Sequence, residues 1–222
     1  MKVYHAIASA RPVEQARECF SAWRDMGYGV ASIRDHPDLD LDFLLTLSEW
    51  RGVWTATNIL AAHVLEQDPE CQVIVAAGDD VWPDHAKRAD EIADEFVEHF
   101  HGTLGVMQPV AAVIRGHKRL CWSPWLGREW CQRAFLGLGP TERRFFHYFG
   151  DSYLYLVAER LGLLWECRHL AHDHRNWKVL KTARPPHLLQ AANRWGRDRQ
   201  LFDWLVAAGF PGSGLASLSA RG

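Results

Sequence analysis

The stretch Val73-Ile-Val-Ala-Ala-Gly-Asp-Asp-Val-Trp-Pro-Asp84 constrains this chain more than any other. A β-branched and alanine run of this kind reads as a short strand covered on both faces. The glycine, the two adjacent carboxylates and Pro83 then stop regular pairing. Asp79 and Asp80 therefore fall just past the carboxyl end of a core strand, where open α/β sheets hold their ligands. Two neighbouring carboxylates repel unless a cation or hydrogen-bond donors hold them. Mg²⁺ or Mn²⁺ shared with phosphate oxygens would do so. The structural alternative is an acidic turn capping a helix that starts near Asp84. This stretch alone does not separate the two.

The 222 residues suffice for one domain with a substantial core, and no repeat or linker divides them. No apolar run reaches the roughly 18 residues of a membrane span, and the first residues lack a signal-peptide pattern. Cys19, Cys71, Cys121, Cys131 and Cys167 lie far apart, with no CxxC pair. That odd, scattered set predicts reduced thiols in a cytoplasmic protein. Charge is uneven. Residues 1–110 carry 8 Lys/Arg against 19 Asp/Glu, a net −11, and residues 111–222 carry 17 against 8, a net +9. Two solvated faces would explain this, and so would an anionic partner for the second half, either nucleotide phosphates or a polyanion. Of the eleven tryptophans several must be core, although Trp also makes platforms for sugars and bases.

Along the chain, Val3–Ala8 predicts a strand, Ser9-Ala-Arg-Pro12 a turn, and Val13–Met26 a helix with Cys19, Phe20 and Trp23 on one face. Gly27-Tyr-Gly29 stops the helix and Val30–Ile33 is a second strand, so the two strands should be parallel. Ser9, Arg11 and Asp35 follow these strand ends. Leu41–Trp54 has no clean period. A helix is expected from Thr57 or Asn58 to Gln67, another over Asp84–Phe100, and a strand over Leu104–Met107. Val110–Ile114 and Arg119–Trp122 suggest a hairpin around Arg115–Lys118. Helices over Glu129–Phe135, Ser152–Leu161 and Leu188–Val206, a strand over Leu163–Cys167 and a frayed Gly/Ser end complete the reading. The class is a single α/β domain with a mostly parallel central sheet flanked by helices.

Two further constellations have chemical content. His169, His172 and His174 place three imidazoles in six residues, and on an extended segment His172 and His174 share a side. One of them with Asp80 would make a reasonable metal site. The H-x-H-x-D-H pattern of metallo-β-lactamase-type zinc hydrolases is missed by one position, and surface histidines in a polar loop are the alternative. Asp151 begins a predicted helix, where a carboxylate serves as an N-cap and where a general base would look the same. Arg143-Arg144 and the run Arg194–Arg199 would bind phosphate or be simply solvated.

In this order the features resemble a GT-A glycosyltransferase, a single-domain fold that uses a nucleotide-sugar donor and a divalent metal, over roughly residues 2–177. The resemblance places Ala8, Ser9, Arg11 and Asp35 at the nucleobase and ribose, and Asn58 at the start of the helix before the metal strand. Ala77-Gly-Asp-Asp80 followed by Val-Trp-Pro resembles D-x-D-D-x-x-P, with Ala77 in place of the first acid. It implies that Asp79 faces the nucleotide sugar and Asp80 the metal, with their roles exchangeable. Ser123-Pro-Trp-Leu-Gly127, Gly139-Pro140 and Phe145-Phe-His-Tyr-Phe-Gly-Asp151 resemble the acceptor segment, which ends in an acidic pair whose first member is Gly150 here. Asp151 then matches the general base of inverting members, and His172 or His174 the histidine completing a Mn²⁺ or Mg²⁺ site. Trp125 and His147 would shape the acceptor pocket. Residues 1–110 become the nucleotide-sugar half, 111–184 the acceptor half and 185–222 a helical tail. The implied partners are a nucleoside-diphosphate sugar, foremost a UDP-sugar, and an acceptor. Phage enzymes of this type glycosylate hydroxymethylated bases in DNA, which implies DNA as one acceptor and a host cytoplasm as the setting. A metal-dependent nucleotide hydrolase and a non-catalytic nucleotide- or DNA-binding module are the other classes these residues would serve.

Overall fold

A computed structural model describes residues 1–34, 39–111, 119–175, 177–183 and 185–214. Asp35 and the turn of the expected hairpin, Arg115–Lys118, lie outside the described residues. In chain order the elements are β1 (Lys2–Ala8), α1 (Val13–Asp25), β2 (Gly29–Ile33), β3 (Phe43–Leu45), α2 (Val53–Gln67) and β4 (Cys71–Ala76). Next come β5 (Val81–Trp82), α3 (Ala89–Phe100), β6 (Val106–Ala111), β7 (Trp125–Gly127) and α4 (Arg128–Arg133), which runs into a 3₁₀ turn over Ala134–Gly137. The last are α5 (Gly150–Arg160), β8 (Leu164–His174), α6 (Trp177–Leu180), α7 (Pro186–Ala192) and α8 (Trp195–Ala207).

The strands form one sheet in the order β3-β2-β1-β4-β7-β6-β8-β5. The pairs β3–β2, β2–β1, β1–β4 and β6–β8 are parallel, as the β-α-β reading of the first two strands requires. Only β7 and the two-residue β5 run against their neighbours. The carboxyl ends of β1, β2, β4, β6 and β8 therefore share one edge of the sheet, and that edge is where a ligand belongs. Each face has its own core. On one side Cys19, Phe20 and Trp23 of α1 and Ile92, Ala93 and Phe96 of α3 pack on Val3, Ile7, Val73 and Val75. On the other side Leu60, Ala61 and Val64 of α2, Trp130 of α4 and Tyr153, Leu154 and Val157 of α5 pack on Ala6, Ile74 and Leu126.

Several boundaries differ from the sequence expectation, each for a local reason. The helix before β4 begins at Val53, because the apolar segment 53–57 continues onto the same core. The helix expected from Asp84 begins at Ala89. Asp84 instead accepts the N–H groups of Ala86 and Ala171, both at 2.7 Å, and so pins its loop to β8. No strand forms over Arg119–Trp122. The strand predicted to stop at Cys167 extends to His174 across a bulge. Pro109 pairs with Cys167 and the next residue, Val110, with Ala171, which leaves Arg168, His169 and Leu170 unpaired opposite a proline that has no N–H to offer. The C-terminal helix is broken into α7 and α8.

Candidate functional site

The acid pair sits where the sequence reading placed it, just past β4 at the carboxyl edge of the parallel strands. Asp79 is buried and saturated. Its carboxylate accepts the Ser9 hydroxyl at 2.7 Å and Arg11 Nε at 2.8 Å, both from the loop after the neighbouring strand β1. Arg34, also buried, donates to Ser9 Oγ at 3.0 Å and to the Arg11 carbonyl at 2.9 Å. Sequence reasoning missed Arg34, although its place one residue past β2 was a usable signal.

Asp80 turns the other way. Its Oδ1 lies 3.4 Å from His174 Nε2 and its Oδ2 lies 3.6 Å from Arg11 Nη2. The short antiparallel pairing of β5 on β8 makes this contact, because it sets Val81 opposite His174, while Arg175 N–H donates to the Asp80 carbonyl at 2.8 Å. Trp23 Nε1 fixes the same strand by donating to the Val81 carbonyl at 2.8 Å. A Cβ at Gly78 would stand 2.5 Å from Asp80 Oδ1, so a side chain there would push that carboxylate from its place. Burial opposes ionisation of Asp80, but His174 and Arg11 outweigh it and hold the carboxyl below its ordinary range.

The three histidines separate. His169 lies on the surface with Nε2 2.8 Å from Glu95. His172 and His174 share a side of β8 at different depths. His172 is fully buried, bonded to the Ser123 hydroxyl through Nδ1, edge-on to Trp23, and without a partner for Nε2. Burial pushes its pKa down to about 3. His5, stacked 3.8 Å from Trp23, is buried in the same region and is driven well below its ordinary value by burial and by His172. Of the two histidines left open by the sequence, His174 is the one that meets Asp80, while His172 is a buried core imidazole. Trp122 holds the His174 ring by near-parallel stacking at 5.2 Å.

The segment 121–123 links this corner to Asp151. Cys121 N–H donates to the Asp151 carbonyl at 3.0 Å, Trp122 stacks on His174, and Ser123 holds His172. Asp151 stands in the first turn of α5, where its Oδ1 accepts the Ser152 N–H at 2.8 Å. Burial raises its pKa above the carboxylate range. Gly150 has a steric reason: a Cβ there would stand 2.3 Å from the Trp54 ring, so the acid that the resemblance implies has no room.

Three other candidates have different surroundings. The Asn58 amide is engaged with Thr141, donating to its carbonyl at 2.8 Å and accepting its N–H and hydroxyl at 3.0 and 2.7 Å, so it ties the loop after Pro140 to α2. Trp125 is fully buried against Tyr28, which corrects its expected place in an acceptor pocket, since no ring face is open. His147 is half-buried in the loop before α5, with its ring edge-on to Tyr148. Ala8 ends β1, half-buried beside the Ser9–Asp79 contact.

A divalent cation fits the Asp80–His174 corner. A metal with ligands at 2.0–2.1 Å seats two adjacent donors about 3 Å apart, close to the distance seen. Among the described residues no three His, Cys, Asp or Glu side chains form a ready metal cage. One carboxylate and one imidazole therefore suit a cation completed by diphosphate oxygens and water, the usual manner of Mg²⁺ and Mn²⁺. All five cysteines are free and buried, and burial raises their pKa values, which disfavours the thiolate form.

The chain has a GT-A-like fold, a single α/β domain with a mostly parallel sheet between helices. The catalytic domain of Drosophila β1,4-galactosyltransferase 7 in complex with xylobiose matches with a TM-score of 0.50 at 10% identity, covering 79% of this chain and 65% of that one. A mutant of the same enzyme with manganese, UDP-Gal and xylobiose gives a TM-score of 0.50 at 10% identity, covering 82% and 74%. A197 from STIV aligns with a TM-score of 0.46 at 16% identity, covering 78% and 85%. No protein-family model matches the sequence, and neither does any curated protein. Among the described residues no helix is long and apolar enough to cross a membrane.

Proposed function

We propose that this protein is a metal-dependent glycosyltransferase that moves a sugar from a nucleoside-diphosphate sugar, foremost a UDP-sugar, to an acceptor hydroxyl with inversion. The observation that carries the reading is the meeting of Asp80 with His174 on the carboxyl edge of a GT-A-like sheet. Solved neighbours of that fold include a galactosyltransferase bound to manganese and UDP-Gal. Asp80 and His174 would hold Mn²⁺ or Mg²⁺, which when bound offsets the negative charge on a departing diphosphate. Arg11 and Arg34 add fixed positive charge beside the same corner, and Ser9 and Asp79 orient Arg11. Asp151 accepts the proton of the acceptor hydroxyl as that oxygen attacks the anomeric carbon from the face opposite the diphosphate. Burial raises its pKa, which makes it a stronger base than an exposed carboxylate.

Exposed Arg143, Arg194 and Arg197 border the loop before Asp151, with the Arg194 guanidinium 5.6 Å from the Phe146 ring. They favour an anionic acceptor, and a hydroxymethylated base in DNA is the one we propose. Such a base would leave the stack to reach the site. Binding to duplex DNA that weakens steeply with salt supports this acceptor, and no binding at low salt removes it. Thermal shifts with UDP-, GDP- and dTDP-sugars plus Mn²⁺ test the donor: stabilisation should need both metal and nucleotide. Wild-type turnover in Asp80→Ala or Asp151→Asn would take that residue out of the mechanism. Transfer predicts slow donor loss to water that an acceptor accelerates, whereas a hydrolase would be fast and indifferent to acceptor.

A further inference from the structure

Asp198 lies in α8, outside every motif of the site, and its side chain is completely buried. Its carboxylate accepts three consecutive backbone N–H groups: Phe146 on Oδ1 at 3.0 Å, and His147 and Tyr148 on Oδ2, both at 2.9 Å. The carbonyls of that loop are claimed from the opposite side. The Phe146 carbonyl accepts Val53 N–H at 2.8 Å, and the His147 carbonyl accepts Trp54 Nε1 at 2.9 Å. Phe149, next in line, holds a left-handed φ of 65°, which a bulky residue keeps only where its surroundings fix it. Its ring packs against Trp195 and Phe202 of α8. Gly150 and Asp151 follow at once.

We infer that Asp198, with Trp54 opposite, is a positioning residue that presets the 146–149 loop and thereby fixes where Asp151 stands. The inference rests on the transferase reading and extends it: α8 is a built part of the acceptor side, and the two helices that grip the loop lie far apart in sequence. Three aligned N–H groups converging on one carboxylate leave this loop a single backbone arrangement. A neutral or shortened side chain at 198 leaves donors unpaired, and the loop relaxes toward water.

The test uses the full chain as Asp198→Asn and Asp198→Ala, with Trp54→Phe as a variant that removes the N–H to the His147 carbonyl together with part of the indole ring and leaves Asp198 in place. Peptide-resolved hydrogen exchange over residues 145–149 is measured beside UDP release from a UDP-sugar with Mn²⁺. We expect faster exchange confined to that loop, an unchanged donor KM, and kcat lower by about 10- to 100-fold, the usual effect of a misplaced catalytic group. Trp54→Phe should show the same signature to a smaller degree. Fast exchange with wild-type kcat in all three variants overturns the inference, and so does a rise in donor KM that matches the loss in kcat. If the wild type itself releases no UDP from any donor, the transferase reading fails and this inference goes with it. Turnover shared equally by wild type and variants removes this inference alone.

Discussion

At the proposed donor side of the site side chains meet side chains, and at the proposed acceptor side a side chain meets backbone. Ser9, Arg11, Asp79, Asp80 and His174 all stand at or just beyond the ends of β1, β4 and β8 and bond to one another directly. In the loop before Asp151 it is the backbone that is held. Its N–H groups go to Asp198 and its carbonyls to α2. The first arrangement follows from strand order alone, since adjacent parallel strands bring their next residues together. The second exists only after two distant helices have docked. Donor-side residues should therefore respond as individual chemical groups, and acceptor-side residues as a unit.

The sharpest way to break that comparison uses the two histidines two residues apart on β8. His174→Ala removes half of the proposed cation corner, so Mn²⁺-dependent turnover should fall by about 10²- to 10³-fold while the melting temperature barely moves. His172→Ala should do the reverse. It empties a fully buried position and orphans Ser123, costing about 2–4 kcal/mol of stability, with turnover kept at low temperature. Chemical denaturation and initial rates on both variants decide it. Equal loss of metal affinity in both would mean that His172 also reaches the cation.

The next effect is of pH on stability. His5 and His172 are buried in the neutral form, with folded pKa values far below that of a free imidazole. The unfolded chain therefore binds protons that the folded chain refuses. Stability is complete above about pH 6.5 and falls below it, at up to about 1.4 kcal/mol per pH unit for each imidazole. Asp80, held low, adds a loss that begins as the pH falls into the ordinary carboxylate range, where the unfolded chain takes up its proton first. Asp151 has a raised pKa and works in the opposite sense, favouring the folded state slightly as the pH falls through that range. Urea midpoints between pH 7.5 and 5 should show the decline, and His5→Gln or His172→Gln should flatten it, as the order-of-magnitude slope above requires.

These contrasts also explain what the sequence disclosed. The Val73–Ala76 run, the punctuation after it and the β-α-β pattern before it are local signals that put Asp79, Ser9 and Arg11 just past strand ends, where the structure joins them by hydrogen bonds. The spacing of His172 and His174 gave their shared side of β8 but not their depth. Depth depends on Trp23, Trp122 and Ser123, which come from two other parts of the chain. Trp125 carries the same ambiguity, because composition does not distinguish a buried indole from a sugar platform. Asp198 was hidden inside an arginine-rich run that reads as a solvated or phosphate-binding face, and its partners lie about fifty residues upstream.

Gly150 gives a smaller effect that sharpens the acceptor side. Gly150→Ala puts a methyl group against the Trp54 ring and should cost about 1–3 kcal/mol. Because Trp54 also grips the His147 carbonyl, relieving the clash with Trp54→Ala should restore packing without restoring turnover. A double-mutant cycle should therefore be strongly non-additive in stability. Additive costs would show that the ring shifts aside freely and that the missing acid at position 150 has no steric cause.

The smallest effect comes from the other aspartate of α8. Asp203 accepts Arg199 Nε at 3.0 and 2.8 Å across one helical turn, but both side chains are half exposed. Water screens the pair, and ordering two long side chains offsets most of the attraction, so Asp203→Ala should change stability by less than about 0.5 kcal/mol and turnover not at all. Asp198, five positions earlier on the same helix, carries the same carboxylate with no exposure and three backbone donors, so Asp198→Ala should cost about 3 kcal/mol or more. Comparing the two by denaturant midpoint isolates the loop contact from the helix that bears it, since propensity and charge change alike in both. If Asp203→Ala proved as damaging as Asp198→Ala, the loss would belong to α8 as a whole, and the acceptor loop would owe its shape to packing, not to one buried acid.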